Sequence, residues 1–143
     1  VTNQQLLAAQ EQNIKINLQD IQSAKHIINA DREKIKRVFS NILSNSIKYS
    51  PKDSTVYISL GQTEDNYLLH FTDQGIGIPE KDQDKIFSGY YRASNAMHSG
   101  VTGTGLGLYF AQKIVELHGG KVWLKSEENK GTTVFVQLPI NKS

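Results

Sequence analysis

The sequence predicts a two-layer α/β sandwich. Three observations predict it. Most strand candidates come as neighbouring pairs around a short polar turn, as in hairpins. The helix candidates are segregated among those pairs instead of alternating with every strand. And 143 residues with 38% apolar content suit one domain with a single core, spanning 1–143.

Taken in order, residues 2–13 are rich in Gln, Leu and Ala and read as a short helix. Ile14 to Leu18 alternates apolar and polar residues, a strand signature, and His26 to Asn29 is a second short strand candidate. Asp31 is placed to cap a helix carried by Lys34 to Tyr49, and Ser50-Pro51-Lys52-Asp53 breaks it. Val56, Ile58 and Leu60, then Leu69 and Phe71, alternate on either side of a turn at Glu64-Asp65-Asn66. Residues 78–102 are polar and Gly-containing and read as a long loop with one helical turn near Asp84 to Phe87. A loop of that length in a compact domain is usually functional. Leu106 to Leu117 is helical and closed by His118, Gly119 and Gly120. Two strands finish the chain, Val122 to Lys125 and a run carrying Val134, Val136 and Leu138.

Composition narrows the function. Sixteen basic and 14 acidic residues leave a net charge of +2, which gives no electrostatic case for nucleic acid. The apolar runs are too short to cross a bilayer, no signal segment opens the chain, and no Lys/Arg block suggests a lipid surface. With no cysteine, disulfides and thiolate metal sites are excluded. A reducing cytoplasm is compatible with that, and a cytoplasmic location is expected. The chain starts at Val1, not Met, so it is expected to be an excised piece of a longer protein.

Three stretches carry chemistry. On the helix 34–49, Ile35, Val38, Phe39, Ile42, Leu43 and Ile47 form an apolar stripe, and Asn41, Asn45 and Lys48 run beside it, with Tyr49 at the boundary. That strip is either a solvated face or one wall of a cleft. In a cleft, an Asn oxygen suits Mg²⁺ and a Lys one turn on can meet phosphate. Asp73-Gln74-Gly75-Ile76-Gly77-Ile78-Pro79 follows a strand. It is either a tight Asp/Gly turn or a place where backbone approaches a ligand and Asp73 accepts from an exocyclic amine. Gly100 to Leu108, with Gly103, Thr104, Gly105, Leu106 and Gly107, leads into a helix N-terminus, which is either a hinge or an anion cradle. It is neither a P-loop nor a dinucleotide fingerprint.

Together and in order these stretches resemble the boxes of histidine kinases. Asn41 to Ser50 resembles the N box, Asp73-x-Gly75-x-Gly77-Ile78-Pro79 the G1 box, and Ile86-Phe87 with Tyr90-Tyr91-Arg92 the F box. Gly103-Thr104-Gly105-Leu106-Gly107-Leu108 is similar to the G2 box, and Gly131-Thr132-Thr133 to the last glycine motif. The resemblance runs from about residue 14 to 139. It implies a Bergerat fold, a mixed sheet backed by helices, with ATP between helices and a mobile ATP lid; residues 89–102, polar and bracketed by Gly89 and Gly100, are expected to form that lid. Carried over by position, Asp73 would accept from adenine N6 with Thr132 nearby through water, and Asn45 would hold Mg²⁺ while Asn41 lines the same face. Lys48 and Arg92 would meet phosphates, and Tyr49 would pack near the nucleoside. Gly75, Gly77, Ile78 and Tyr91 would line the site, and the 103–107 glycines and Leu108 would cradle the triphosphate.

The implied activity is that of the ATP-binding catalytic domain of a two-component sensor histidine kinase, passing the γ-phosphate to a histidine outside this chain. Its implied partners are the upstream dimerisation and phosphoacceptor segment of the same kinase, with residues 1–13 as the linker helix from it, and a response regulator. The parent protein is allowed a membrane anchor. The sequence departs from the F box at Ser88 and Gly89, where a Glu and a long residue usually stand, which removes a charge used to fix the lid. Ser46 replaces the usual Ala of the N box, with a hydroxyl able to bond back into its own helix. His26, His70, His98 and His118 lack the acidic neighbour of a phosphoacceptor and read as structural, with His118 suited to a helix C-terminus. Hydrolytic relatives such as topoisomerase, mismatch-repair and chaperone ATPases usually carry Glu where Asn41 stands. A nucleotide-sensing degenerate kinase module and an anti-sigma-type serine kinase are the alternatives.

Overall fold

The computed structural model describes residues 3–19, 28–101 and 103–140. A five-stranded sheet forms one layer, in the order β1-β2-β3-β5-β4. Its strands are β1 (Lys15–Gln19), β2 (Thr55–Gln62), β3 (Asn66–Thr72), β4 (Lys121–Glu127) and β5 (Gly131–Pro139). Among the described residues only β1 and β2 pair in parallel, so the sheet is mixed as expected. Helices α1 (Asn3–Glu11), α2 (Arg32–Lys48) and α5 (Gly107–Leu117) form the second layer, and the four-residue helices α3 (Glu80–Gln83) and α4 (Ser94–Met97) lie in the connection before α5.

Helix α2 forms where its signals say. Asp31 accepts from the Lys34 amide, filling one of the donors a helix start leaves open. Ile35, Val38, Ile42, Leu43 and Ile47 are buried against Val56, Ile58 and Phe71 of the sheet and Val134 and Val136 of β5. Ala111 and Val115 of α5 join the same core. Ser46 bonds its hydroxyl to the Ile42 carbonyl at 3.2 Å, so its polar group costs the core little. Helix α1 docks on α2 through buried Ala9 and a Gln5 bond to the Ser40 carbonyl at 2.9 Å, with Leu6 and Leu7 exposed. At the other end of α5, Gly119 takes φ +76° and the Gly120 amide reaches the Val115 carbonyl, closing the helix. His118 accepts from the Asp31 amide through Nε2 and points Nδ1 at the Ile114 carbonyl. It therefore sits at the C-terminus of α5 as expected and works there as a strut to the start of α2.

The outer face of the sheet carries its own ladder. Trp123 stacks on Phe135 with centroids 5.2 Å apart, and His70 meets Phe135 edge-on at 4.8 Å. Lys121 and Lys125 lie over these rings.

Two expectations change. The helical turn in the long connection sits at 80–83, ahead of the expected 84–87, because Pro79 presets the entry and Glu80 and Asp82 suit a first turn. A second turn forms at 94–97. The strand candidate at 26–29 falls partly on His26 and Ile27, outside the described residues, while Ile28 and Asn29 lie outside any strand. No helix among the described residues is long and apolar enough to cross a membrane.

Ile42 is fully buried where α2 meets the sheet. Ile42→Ala should lower unfolding free energy by about 2–5 kcal/mol. Leu117→Ala, at a position 80% exposed, should stay within about 0.5 kcal/mol of the parent chain in the same urea titration.

Candidate functional site

A cleft of about 430 Å³ opens between α2, the start of α5, the ends of β3 and β5, and the connection 76–106. The polar strip of α2 is one of its walls: Asn41, Asn45, Lys48 and Tyr49 all line it. Because the apolar stripe of the same helix is fixed against the sheet, the strip has nowhere else to face. Asn41 donates to the Gly107 carbonyl at 3.2 Å and so ties α2 to the start of α5. The Asn45 amide makes no hydrogen bond among the described residues and is available to a ligand. Lys48 is exposed at the end of α2, where its charge also suits the helix dipole.

Asp73 closes one end. It is 9% exposed, and its Oδ1 accepts from the Gly75 amide at 2.9 Å and the Thr132 amide at 3.2 Å. Burial pushes its carboxyl from an ordinary 3.8 up to about 6, with those two amides pulling the other way. The second carboxylate oxygen has no protein partner among the described residues.

The glycines of this turn serve backbone packing more than direct ligand approach. A Cβ on Gly75 would lie 2.4 Å from the Tyr49 carbonyl oxygen, and one on Gly77, at φ +68°, would lie 2.0 Å from the Glu127 carbonyl oxygen. Gly75 accordingly lies beneath the end of α2 and does not line the cleft, whereas Gly77 and Ile78 do. The turn is held by the Ile76 amide on the Tyr49 carbonyl, the Asn129 amide on the Ile76 carbonyl, and the Ile78 amide on Ser126 Oγ at 2.8 Å. Ser126 also contacts Thr132 Oγ1 at 2.7 Å, placing Thr132 beside Asp73.

The opposite end is the start of α5. Gly103, Thr104, Gly105, Leu106, Gly107 and Leu108 line it, and no side chain among the described residues caps the helix. Its first amides thus face the cleft as potential anion donors. Gly105, at φ +72°, passes so close to the Tyr91 carbonyl that a Cβ would come within 2.6 Å of it.

Tyr91 and Arg92 also line the cleft. Arg92 donates to the carbonyls of Val101 at 2.6 Å and Ala96 at 3.2 Å and reaches the Tyr49 hydroxyl at 3.4 Å, while its Nε is buried with no partner among the described residues. Asp82, almost fully buried, accepts from the Tyr91 hydroxyl and from the amide and hydroxyl of Ser94. The Tyr91 bond, then the Ser94 amide, hold the Asp82 carboxyl below its usual range, and the same bond pushes the Tyr91 hydroxyl up. Asp82 thus supplies a charge that orders this connection, although Ser88 and Gly89 stand where the F box has charged or long residues.

Sequence reasoning missed Asp82, Gln83, Asn95 and Ser126. Gln83 donates to the Ile78 and Ser126 carbonyls, and Asn95 to the Gly77 carbonyl, each at 2.9 Å. Arg37 and Phe110, also unremarked, line the cleft beside Asn41. Arg37 has one signal, its place four residues before Asn41 on the same helix face; the others have none. Among the described residues no group of three or more His, Asp or Glu side chains could hold a metal ion. Asn45, with an unpaired amide oxygen in the cleft, fits a hard cation that takes most of its ligands from a bound phosphate.

A family model described as histidine kinase-, DNA gyrase B-, and HSP90-like ATPase matches residues 30–142. The sensor histidine kinase WalK of Bacillus subtilis (strain 168) is 44% identical over 114 residues, covering 78% of this chain and 19% of that protein. A sensor protein kinase WalK of Staphylococcus aureus is 37% identical over 124 residues, covering 85% of this chain and 30% of that protein. The chain therefore spans less than a third of the length of these relatives. Among solved structures, the nucleotide-free catalytic domain of histidine kinase ThkA superposes with a TM-score of 0.80 at 27% identity, covering 96% of this chain and 87% of that one. Full-length ShkA in complex with AMPPNP shares the fold, with a TM-score of 0.79 at 20% identity over 96% of this chain and 28% of that one.

The raised carboxyl of Asp73 works against stability. The native state keeps its proton where the unfolded chain has already lost it, so stability falls as pH rises from about 4 to about 6, by roughly 3 kcal/mol in all. Asp73→Asn should remove that slope and leave the ligand-free chain more stable than the parent at pH 7.5, with the two converging near pH 4. Urea titrations at the two pH values check this; equal stability at pH 7.5 would refute it.

Proposed function

Because the chain belongs to the histidine kinase-, DNA gyrase B-, and HSP90-like ATPase family, as an ATP-binding catalytic domain of the sensor histidine kinase type, we propose that it presents Mg-ATP to a histidine on another segment of a longer sensor kinase. The observation that carries this reading is the polarity of the cleft. One end holds a buried carboxylate with a spare acceptor, and the other holds amides and an uncapped helix start.

In this reading Asp73 accepts from the adenine amine, with Thr132 beside it, and Ile78 and Tyr49 flank the base. Asn45 is the protein ligand to Mg²⁺, which when bound neutralises phosphate charge. Asn41 fixes the start of α5 so that the open amides of its first turn face the phosphates, the Leu106 amide being already given to Thr104 Oγ1. Lys48 and Arg92 add positive charge, and the buried, unpartnered Nε of Arg92 supports its share. Residues 89–102 act as a lid whose base Asp82 holds through Tyr91 and Ser94. Phosphoryl transfer needs positioning and charge neutralisation above all, and these groups provide both. The parent chain would pass the phosphate on to a response regulator, on the cytoplasmic side of any membrane that anchors it.

Asn41 bears on hydrolysis. Its amide donates to the Gly107 carbonyl and cannot take a proton from water, so ATP turnover should be slow. With γ-labelled ATP, the chain alone should acquire no acid-labile label. Adding an acceptor segment in trans should give labelling, because transfer needs both partners in line. Acid-labile label on the chain alone, or fast release of ADP, would overturn the assignment.

The metal role is tested separately. Asn45→Ala should remove most of the Mg²⁺ dependence of ATP binding, measured by calorimetry with and without metal. An unchanged dependence would mean that Asn45 is not the ligand.

A further inference from the structure

Arg37 lines the cleft from the first half of α2, more than three turns ahead of Tyr49. It precedes Asn41 by four residues and Asn45 by eight, so the three lie on one face of α2, and all three line the cleft. Asp73 lies at the other end of the helix, where the Ile76 amide bonds the Tyr49 carbonyl. From Arg37 to Tyr49 the helix axis runs about 18 Å.

The Arg37 guanidinium sits 5.2 Å from the ring centroid of Phe110. Phe110 belongs to the first turn of α5, the turn that Asn41 binds at Gly107. The ring therefore draws Arg37 toward the uncapped helix start. The charge is also unspent. Lys34 and Lys36 lie within ion-pair range of Asp31 and Glu33, whereas Arg37 has no carboxylate in range among the described residues. Arg92, the cation of the lid, already gives its NH2 group to two backbone carbonyls. Phe110, 37% exposed, gains a reason for its exposure as the platform beneath a cation.

From these observations we propose that Arg37, steadied by Phe110, is a specificity-determining residue for the terminal phosphate of a nucleoside triphosphate. The proposal rests on the nucleotide reading given above. A diphosphate seated against Asp73 stops one phosphate short of Arg37, so the residue distinguishes ATP from ADP. A guanidinium is suited to the task, since its fork matches phosphate oxygens and it stacks on an aromatic face.

The test is calorimetric titration of the 143-residue chain and its variants with Mg-ATP and Mg-ADP, at 0.1 M and 1 M salt. Arg37→Ala should weaken Mg-ATP about fivefold and leave Mg-ADP within about twofold, the magnitude expected of a solvent-facing charge pair. The ATP loss should shrink at 1 M salt, where the screening length falls from about 10 Å to about 3 Å. Arg37→Lys should recover most of the ATP affinity, and Phe110→Ala should lose part of it with ADP again spared. Equal weakening of both nucleotides by Arg37→Ala, no weakening of either, or an ATP loss that persists at 1 M salt overturns the role of Arg37. If the parent chain binds neither nucleotide, the reading of the cleft itself fails, and that result is distinct from all three.

Discussion

Contact between the apolar stripe of α2 and the sheet is the constraint on which the site depends. Val38 and Ile42 are fully buried in it, and an α-helix has a fixed rotation per residue. Once those side chains are seated, Asn41 and Asn45 have only one direction to face. The end of the helix is fixed as well, and the Tyr49 carbonyl becomes a landing point for the Ile76 amide. The turn carrying Asp73 is therefore positioned by the packing of a helix that begins about forty residues earlier in the chain.

The adenine-proposed end and the phosphate-proposed end are built differently. Around Asp73, backbone packs on backbone, at distances that admit no Cβ on Gly75, Gly77 or Gly131. Around the start of α5 the Gly103–Gly107 backbone is joined by side chains that can vary: Asn41, Arg92, Arg37 and Phe110. The first arrangement resists adjustment, and it keeps a carboxylate buried at a cost to the folded state. The second can be altered residue by residue. Unfavourable burial of Asp73 is the kind of local conflict that a binding site retains and the surrounding core offsets.

How much of this was legible in the sequence follows the range of the interactions. The stripe and strip of α2, the Asp31 cap and the glycine closure of α5 are set by neighbours within a few positions, and each appears where periodicity or a capping residue places it. Asp73 and the 103–108 run were legible as motifs, though not in every role. The glycines beside Asp73 are spacers against Tyr49 and Glu127, and nothing near them in the chain announces that approach. Ser126, Gln83 and Asn95 were invisible for the same reason. Each is an ordinary polar residue whose partner lies 18 or more positions away in at least one of its bonds. Asp82 was hidden differently: it sits in a charged stretch that reads as solvated, yet the fold over it buries it beneath Tyr91 and Ser94.

The aromatic ladder on the outer face of the sheet bears on how the chain can be watched. Its single tryptophan, Trp123, is stacked on Phe135 across the β4–β5 pair and lies outside the cleft. Its emission therefore reports whether the last hairpin is paired and is largely blind to occupancy of the cleft on the other side of the sheet. A nucleotide titration followed by tryptophan fluorescence would look silent even at saturation, while the same signal would give a clean unfolding curve. An optical reporter for the ligand has to be placed on the opposite layer.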